Sequence, residues 1–227
     1  MSANIVGNWQ LDEGMGSNAK DSSGNNNDGE LSPIAPTWTG GRKPASTALH
    51  FDGSNYVKVV GNPPPLTVLE PSTVTVEAWV RSCGPVSGSL HYILSKGGEG
   101  CIAASYALYA GEKRGLSFYI SHEDQAKPFF ESPDAGTSIW DGNWHHIAGT
   151  YDGKTVRLYV DGHQIGDGTN VPDPTNIVYN LPVNEFFIGS YGEEPCPFPY
   201  SFTGDIAEVR VWDGVLSDSE ILAKAQS

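Results

Sequence analysis

The segment Asp21–Gly29 carries oxygen-bearing side chains at most of its positions, in the order DSSGNNNDG. Calcium takes about six to eight oxygen ligands, and a loop of this composition supplies them from side chains and carbonyl groups. The segment is not an EF-hand, because it lacks the glutamate at the twelfth position and the flanking helices. The same side chains also form Asx turns with their own backbone. The run therefore predicts either a calcium site or a series of turns.

A second segment, Tyr191–Tyr200 (YGEEPCPFPY), concentrates aromatic rings, carboxylates and prolines. Sugars are bound by aromatic faces and by planar acceptors for their hydroxyl groups, and prolines lower the cost of ordering a loop. We therefore predict a glycan-binding loop here, the alternative being a loop whose rings cover a sheet edge. The predicted ligand-binding residues are Tyr191, Glu193, Glu194, Phe198, Tyr200 and, from the Gly97–Ala103 loop, Glu99.

The three cysteines, Cys83, Cys101 and Cys196, show neither CxxC spacing nor a nearby histidine pattern, so zinc is not expected. Cys101 and Cys196 both lie in loops rich in glycine and proline. A disulfide between them would bring Glu99 next to the Tyr191–Tyr200 loop. Three reduced thiols are an equal alternative, because a sequence does not give the separation of the Cα atoms.

His145 and His146 follow Trp144 in a predicted strand. Neighbouring strand residues point to opposite faces, so these two side chains cannot by themselves share a metal or catalytic site. We predict structural roles, with one imidazole packed inside beside Ile147 and the other on the outer face. The run His122–Gln125 (HEDQ) contacts a ligand at the rim or forms a solvated turn, and we favour the turn.

Sequence strings typical of several enzyme classes do not occur in the chain. It has no ExDxE string, which in a retaining glycosidase aligns a nucleophile and an acid about 5 Å apart on one face of a strand. It also has no GxSxG, P-loop, GxGxxG or HExxH motif. Acidic residues alone do not provide the paired carboxylates in different environments that acid–base catalysis needs. We therefore predict a protein without catalytic residues.

The composition excludes several kinds of partner. The 227 residues include 13 basic and 27 acidic side chains, which gives a formal net charge of −14. Nucleic acids and anionic membranes need a basic footprint, so neither is an expected partner. There is no run of about 18 apolar residues, so membrane insertion is not expected. Met1–Asn4 has no signal-peptide pattern, which leaves open an extracellular location after signal removal and a cytoplasmic one.

Apolar and polar residues alternate with period two through most of the chain, and Asp-Gly turns separate the alternating runs. The helical pattern is confined to Ser217–Ala225, where Ser217 and Glu220 form a capping box. Eleven strands without alternating helices predict an all-β, two-sheet antiparallel jelly-roll sandwich, as one domain over residues 1–227, with one short C-terminal helix. The predicted strands are Val6–Leu11, Ala48–Phe51, Tyr56–Val59, Thr73–Val80, Tyr92–Ser95, Ser105–Ala110, Leu116–Ile120, Trp144–Tyr151, Thr155–Val160, Glu185–Gly189 and Gly204–Trp212.

Nine segments, taken in order, resemble the laminin-G-like jelly-roll domains of the concanavalin A-like lectin/glucanase superfamily. The resemblance implies a curved sandwich with concave and convex faces and with loops gathered at one rim. The segments are WQLDEG (Trp9–Gly14), DSSGNNNDG (Asp21–Gly29), LHFDG (Leu49–Gly53), VTVEAWVR (Val74–Arg81), ILSKG (Ile93–Gly97), DGNWHHIAGTYDG (Asp141–Gly153), VRLYVDG (Val156–Gly162), FIGS (Phe187–Ser190) and FTGDIAEVRVW (Phe202–Trp212).

The resemblance also carries expectations about binding. Members commonly serve as carbohydrate-binding modules beside glycosidases or as adhesion and lectin-like domains, and calcium is frequent among them. Many relatives carry an acid where this chain has Ala207, and Asp205, two residues earlier on the same strand face, is the expected substitute. Because the relatives hold calcium between the first strand and the last, the resemblance adds Glu13 and Asp205 to the ligands Asp21 and Asn25 expected from the oxygen-rich segment.

We therefore expect a lectin-like domain without catalytic activity that binds an oligo- or polysaccharide through rim loops and holds a structural calcium. One alternative is a protein-binding or adhesion domain whose acidic surface steers it towards basic partners. A less favoured alternative is a polysaccharide-degrading enzyme, a glycoside hydrolase or lyase, on the same sandwich. The identity of the sugar and the oligomeric state are open.

Overall fold

The computed structural model describes residues 3–61, 64, 66–84, 90–98, 103–111, 113, 115–122, 129–172, 176–179, 183–192 and 200–227. In chain order the strands are β1 (Asn4–Trp9), β2 (Asn18–Ala19), β3 (Gly29–Leu31), β4 (Thr37–Gly40), β5 (Thr47–Asp52), β6 (Val57–Val59), β7 (Val74–Arg81), β8 (His91–Gly98), β9 (Tyr106–Ala110), β10 (Leu116–Ser121), β11 (Phe129–Glu131), β12 (Trp144–Tyr151), β13 (Thr155–Val160), β14 (His163–Gln164), β15 (Thr169–Asn170), β16 (Val183–Ile188) and β17 (Thr203–Asp213). A short 3₁₀ helix spans Thr67–Leu69, and the helix α1 spans Asp218–Ala225.

The strands described by the structure form two antiparallel sheets of nine and eight strands. The nine-stranded sheet has the order β14-β13-β12-β7-β17-β5-β4, with β1 also paired to β17 and β15 to β13. The eight-stranded sheet has the order β11-β10-β9-β8-β16-β6-β3-β2. The two sheets enclose one apolar core, which confirms the predicted antiparallel jelly-roll sandwich.

Alternate side chains of both sheets fill this core. Trp9, Phe51, Phe118 and Phe186 are fully buried there, and the rings of Trp9 and Phe186 stack with centroids 5.1 Å apart. The sheets approach closely where Gly149 of β12 faces Phe118 of β10, since a Cβ atom at Gly149 would lie 2.2 Å from the Phe118 ring. A glycine in the middle of this strand is therefore required by the packing of the two sheets.

The helix α1 begins with the predicted capping box. The hydroxyl group of Ser217 accepts a hydrogen bond from the Glu220 backbone N–H at 3.3 Å, and the Glu220 carboxylate accepts one from the Ser217 N–H at 2.7 Å. Ile221 is buried against Ala148 and Tyr159 of the nine-stranded sheet. The helix therefore covers part of the outer face of this sheet. Among the described residues, no helix is long and apolar enough to cross a membrane.

Candidate functional site

The carboxylate of Asp21 organises the oxygen-rich segment. It accepts hydrogen bonds from the backbone N–H groups of Asn8 (3.0 Å), Ser23 (2.9 Å) and Asn27 (3.0 Å), and from the Ser23 hydroxyl group (2.8 Å). The residue is 9% exposed and forms an isolated bridge with Trp9. These contacts correspond to the Asx-turn alternative and join the segment to β1.

Two other predicted calcium ligands lie beside this segment. One oxygen of Glu13 accepts from the Lys20 backbone N–H at 2.6 Å, and the side-chain amide of Asn25 donates to the Val6 carbonyl oxygen at 3.0 Å. The second oxygen of Glu13 is shielded from solvent and has no hydrogen-bond partner within the described residues. A buried carboxylate oxygen without a donor is an atom that a cation could satisfy.

Asp205, the fourth predicted ligand, contacts a histidine and an arginine instead. Its carboxylate lies 2.7 Å from His50 Nδ1 and 2.7 Å from Arg81 Nη2. On β17, Asp205 lies four residues before Val209. Val209 is the residue that pairs with Trp9, and Trp9 in turn bridges to Asp21. Across the described ranges no group of three or more histidine, cysteine or acidic side chains is arranged around a metal position. Calcium binding stays a prediction.

Aromatic rings gather on the outer face of the eight-stranded sheet. Tyr109 points outward, since the neighbouring residues of β9 face the core. The ring of Tyr92 lies 5.3 Å from that of Tyr109, 5.0 Å from that of Tyr191 and 5.9 Å from that of Tyr200, measured between centroids. We call Tyr92, Tyr109, Tyr119, Tyr191 and Tyr200 the aromatic cluster. All of them except the half-buried Tyr200 are buried.

Hydrogen bonds hold the aromatic cluster in place. The Tyr119 hydroxyl oxygen lies 3.3 Å from that of Tyr92 and accepts from the Ala104 backbone N–H at 2.9 Å. The Tyr109 hydroxyl group donates to Glu131 Oε1 at 2.7 Å. Burial raises the pKa of both Tyr92 and Tyr119 well above the ordinary range, so both hydroxyl groups stay protonated. The cluster is therefore a rigid, uncharged platform for a ligand bound on this face of the sheet.

Only part of the predicted glycan loop lies in the described ranges. Tyr191 is 5% exposed and packs inside the aromatic cluster, with its ring 6.0 Å from that of Tyr200. In this position Tyr191 supports Tyr200, which is the more exposed of the two rings. The predicted binding residues Glu99, Glu193, Glu194 and Phe198 lie outside the described residues, as do Cys101 and Cys196. Their roles and the disulfide stay predictions; Cys83 is an exposed free thiol.

A pocket of about 470 Å³ adjoins the aromatic cluster at Tyr109. It could not be predicted from the sequence, because the lining residues come from three separate segments of the chain. The one available indication was the alternation in β11, which places Phe129 and Glu131 on the same face. The lining includes Leu90, Tyr109, Lys113, Phe129, Glu131 and Asp134.

The two neighbouring histidines have separate partners. His146 is fully buried on the outer face of the nine-stranded sheet, with Nε2 3.3 Å from a Glu77 oxygen. His145 contacts Asp161 (2.8 Å) and Asp141 (3.1 Å) at the rim. Burial lowers the pKa of His145, but hydrogen bonds to the two carboxylates outweigh burial and raise it. One imidazole lies on the outer face, as predicted, but the imidazole predicted to pack inside beside Ile147, that of His145, lies at the rim against two carboxylates instead.

His122, at the start of the predicted rim turn, lies with its ring 4.9 Å from that of Phe130. The remainder of that run, residues 123–125, falls outside the described ranges. Whether it contacts a ligand stays a prediction.

An ion-pair network also lies on the outer face of the nine-stranded sheet. Glu77 is fully buried and accepts from Arg210 at 3.2 Å, and Arg210 also contacts Glu208 at 3.0 Å. Arg42 contacts Glu208 at 2.8 Å and lies over the Trp79 ring, 4.1 Å from its centroid. Within this network cations and carboxylates are matched, so the buried carboxylate of Glu77 has a cationic partner.

The sequence places the chain in a known family. Residues 51–222 match the model of the Laminin_G_3 family, described as concanavalin A-like lectin/glucanases superfamily. The chain belongs to this family, which confirms the resemblance. The prediction of a single domain over all 227 residues stays a prediction.

One curated protein resembles part of the chain. It is the "Sushi, von Willebrand factor type A, EGF and pentraxin domain-containing protein 1" of Rattus norvegicus, 32% identical over 98 residues. The match covers 40% of this chain and only 3% of that protein. Less than half of the chain therefore corresponds to a small part of this relative.

Solved structures share the fold at low sequence identity. Domain 4 of AbnA, a GH43 extracellular arabinanase from Geobacillus stearothermophilus in complex with arabinotriose, has a TM-score of 0.67 at 19% identity, with all of both chains covered. The CBM40 of a Ruminococcus gnavus IT-sialidase, bound to alpha2,3 sialyllactose, has a TM-score of 0.63 at 17% identity, covering 78% of this chain and 96% of that one. The binding domain of botulinum neurotoxin DC in complex with rat synaptotagmin II has a TM-score of 0.67 at 14% identity, covering 98% of this chain and 51% of that one.

Proposed function

We propose that this protein is a non-catalytic, lectin-like domain that binds an oligo- or polysaccharide on the outer face of its eight-stranded sheet. The observation that carries the proposal is the aromatic cluster. Its buried rings hold two half-buried rings in place, those of Tyr200 and Phe129. Carboxylates stand beside the Phe129 ring, so C–H surfaces and hydroxyl groups of one sugar can be contacted together there. The predicted loop Tyr191–Tyr200 enters this face at both its ends.

Similar domains support the proposal. The arabinanase domain was solved with arabinotriose and the sialidase CBM40 with sialyllactose, so this sandwich accommodates glycans. The arabinanase is extracellular, and we place this protein outside the cell as well. The competing function is protein binding, which the neurotoxin domain with synaptotagmin and the formal charge of −14 favour.

Truncating either half-buried ring is expected to weaken glycan binding about tenfold, which corresponds to about 1.4 kcal/mol. The variants are Tyr200→Ala and Phe129→Ala, measured by calorimetry against the best ligand from a glycan array. The control is Tyr56→Ala, which removes a half-buried ring at a distant strand of the same sheet, against Phe187. Unchanged affinity in both variants, with unchanged melting, would place the glycan elsewhere. Release of reducing sugar from polysaccharides would contradict the non-catalytic role.

A structural calcium is part of this proposal. The buried second oxygen of Glu13 supports it, whereas the contacts of Asp205 with Arg81 and His50 make Asp205 a poor ligand. Chelation by EDTA is expected to lower the melting temperature and added calcium to restore it. A ligand that binds only the folded state at a hundredfold above its Kd stabilises it by about 2.7 kcal/mol.

The variant Glu13→Gln tests this assignment, because it should remove the calcium response. Asp205→Asn is the matched control and should keep the response, whatever its own baseline stability. Melting that is indifferent to chelation in the wild-type protein would leave the oxygen-rich segment as a set of turns.

A further inference from the structure

The pocket that adjoins Tyr109 combines apolar walls with charged side chains. We propose that this pocket binds an uncharged sugar ring and discriminates against sugars that carry a carboxylate. The inference rests on the proposed glycan-binding function and adds to it both a place and a ligand class.

The apolar walls of the pocket are held in fixed positions. The Tyr109 ring stacks on Tyr92, with centroids 5.3 Å apart, and the Phe129 ring lies 5.1 Å from that of Tyr119. Leu90 adds a third apolar surface. Rings fixed in this way offer a preformed contact for the C–H face of a sugar, so little is lost in ordering them on binding. The volume, about 470 Å³, lies in the range of small-molecule sites.

The polar groups at the pocket suit hydroxyl groups. Glu131 is oriented by the hydrogen bond from the Tyr109 hydroxyl group, at 2.7 Å, and Asp134 accepts from the Gly136 backbone N–H at 2.5 Å. Both carboxylates retain lone pairs for a sugar hydroxyl, since a carboxylate can accept about four hydrogen bonds. Lys113 is exposed at the edge and supplies a donor. The pocket thus offers both acceptors and a donor to an uncharged polyol.

The charge of the pocket is what makes it selective. Among the lining residues that the structure describes, two carboxylates stand against one ammonium group and leave a net negative charge, in a chain whose formal charge is −14. A sugar carboxylate placed there meets repulsion that an uncharged ring does not. One net charge at about 6 Å in a largely hydrated site changes affinity about fivefold at low salt.

Glycine at position 111 allows the pocket to be blocked without removing any contact. A Cβ atom at Gly111 would lie 3.6 Å from the Tyr109 hydroxyl oxygen and 3.7 Å from Glu131 Oε1, which are ordinary contact distances. Its backbone is outside the left-handed region, so a side chain is accommodated without strain. A valine at this position therefore places its methyl groups at the wall of the pocket, beside the hydrogen-bonded Tyr109 and Glu131. Gly40 in β4 is the matched control, since a Cβ atom there meets nothing within 4 Å.

The experiment uses methyl glycosides of glucose, galactose and mannose, each paired with its uronic acid, titrated into the full chain at low ionic strength and followed by NMR. At least one uncharged glycoside should bind about fivefold more tightly than its uronate. Glu131→Gln should lower the ratio of glycoside affinity to uronate affinity. Gly111→Val should abolish binding of the glycoside, while Gly40→Val should retain it. A uronate that binds as tightly as its uncharged partner, or no binding by any of the glycosides, overturns the inference.

A separate readout distinguishes this inference from the proposed function. If the best glycan from the array binds Gly111→Val with full affinity, the pocket is not the binding place, although glycan binding stands. If the array returns only anionic glycans, the ligand class is wrong and glycan binding still stands. If no glycan binds the wild-type protein, the proposed function fails together with the inference.

Discussion

Replacing Glu77 by glutamine is expected to lower the free energy of unfolding by about 3 kcal/mol at neutral pH, because breaking a buried ion pair leaves an uncompensated charge. Glu77 and His146 are fully buried, and Arg210 reaches Glu77 with a side chain that is 16% exposed. Burial raises the pKa of Glu77, but the hydrogen bond and charge of His146 and the charge of Arg210 outweigh burial and lower it. The carboxylate is therefore ionised at neutral pH.

The pH dependence gives this prediction a second readout. A carboxyl group whose pKa is lower in the folded state stabilises the protein above its unfolded pKa, near 4.5. This contribution is lost as the pH falls through the folded pKa. The difference in the free energy of unfolding between the wild type and Glu77→Gln, measured by urea unfolding, should therefore reach its full size at pH 7 and become smaller in acid.

The control for Glu77 is Arg157→Gln, which removes an exposed partner of Asp152. Their side chains are 26% and 33% exposed, and exposed pairs contribute about 0–1 kcal/mol. A loss for Glu77→Gln no larger than that of the control would show that the network on the nine-stranded sheet adds little to stability.

Replacing Asp21 by alanine is expected to destabilise the protein by about 3 kcal/mol, whether or not calcium binds. The carboxylate accepts four hydrogen bonds, and removing it leaves the backbone N–H groups of Asn8 and Asn27 without their acceptor. Hydrogen bonds to a charged group contribute about 1.5–3 kcal/mol each, although losses at one residue do not add in full. Denaturant unfolding with EDTA present measures the effect without calcium.

Asp12→Ala is the matched control for Asp21, since Asp12 is an exposed aspartate near the same segment. It should change the free energy of unfolding by less than about 0.5 kcal/mol. If the loss in Asp21→Ala disappears when EDTA is present, Asp21 acts as a metal ligand and its hydrogen bonds contribute little.

The long strands and the helix could be predicted from the sequence because each carries its own pattern. Trp144–Tyr151 and Thr155–Val160 have the predicted bounds, and the Asp-Gly turn between them fixes their pairing. The helix begins where its capping box predicts. Most strands of two to four residues, such as β2, β4 and β14, were missed, although β6 lies within the predicted Tyr56–Val59. So short a segment has no periodicity of its own and becomes a strand only through its partner.

The candidate site was harder to predict, because it depends on which strands are neighbours. Tyr92, Tyr109 and Tyr119 alternate with core residues in three separate strands, and only the sheet order brings them together. Glu77 presents the opposite difficulty. Its place in β7 predicts a side chain facing solvent, yet it is buried, because contacts from Arg210 and α1 cover it. Coverage by distant elements is not encoded in local alternation.

The position of β17 has a consequence for how the chain folds. This strand lies between β5 and β7 and also pairs with β1, so Trp9 meets Val209 from the far end of the sequence. Loop closure over such separations makes folding slow. Until β17 leaves the ribosome, β5 and β7 present unpaired edges that can capture strands of other chains. The nine-stranded sheet is thus completed late, and the nascent chain is most prone to aggregation just before its C-terminal strand emerges.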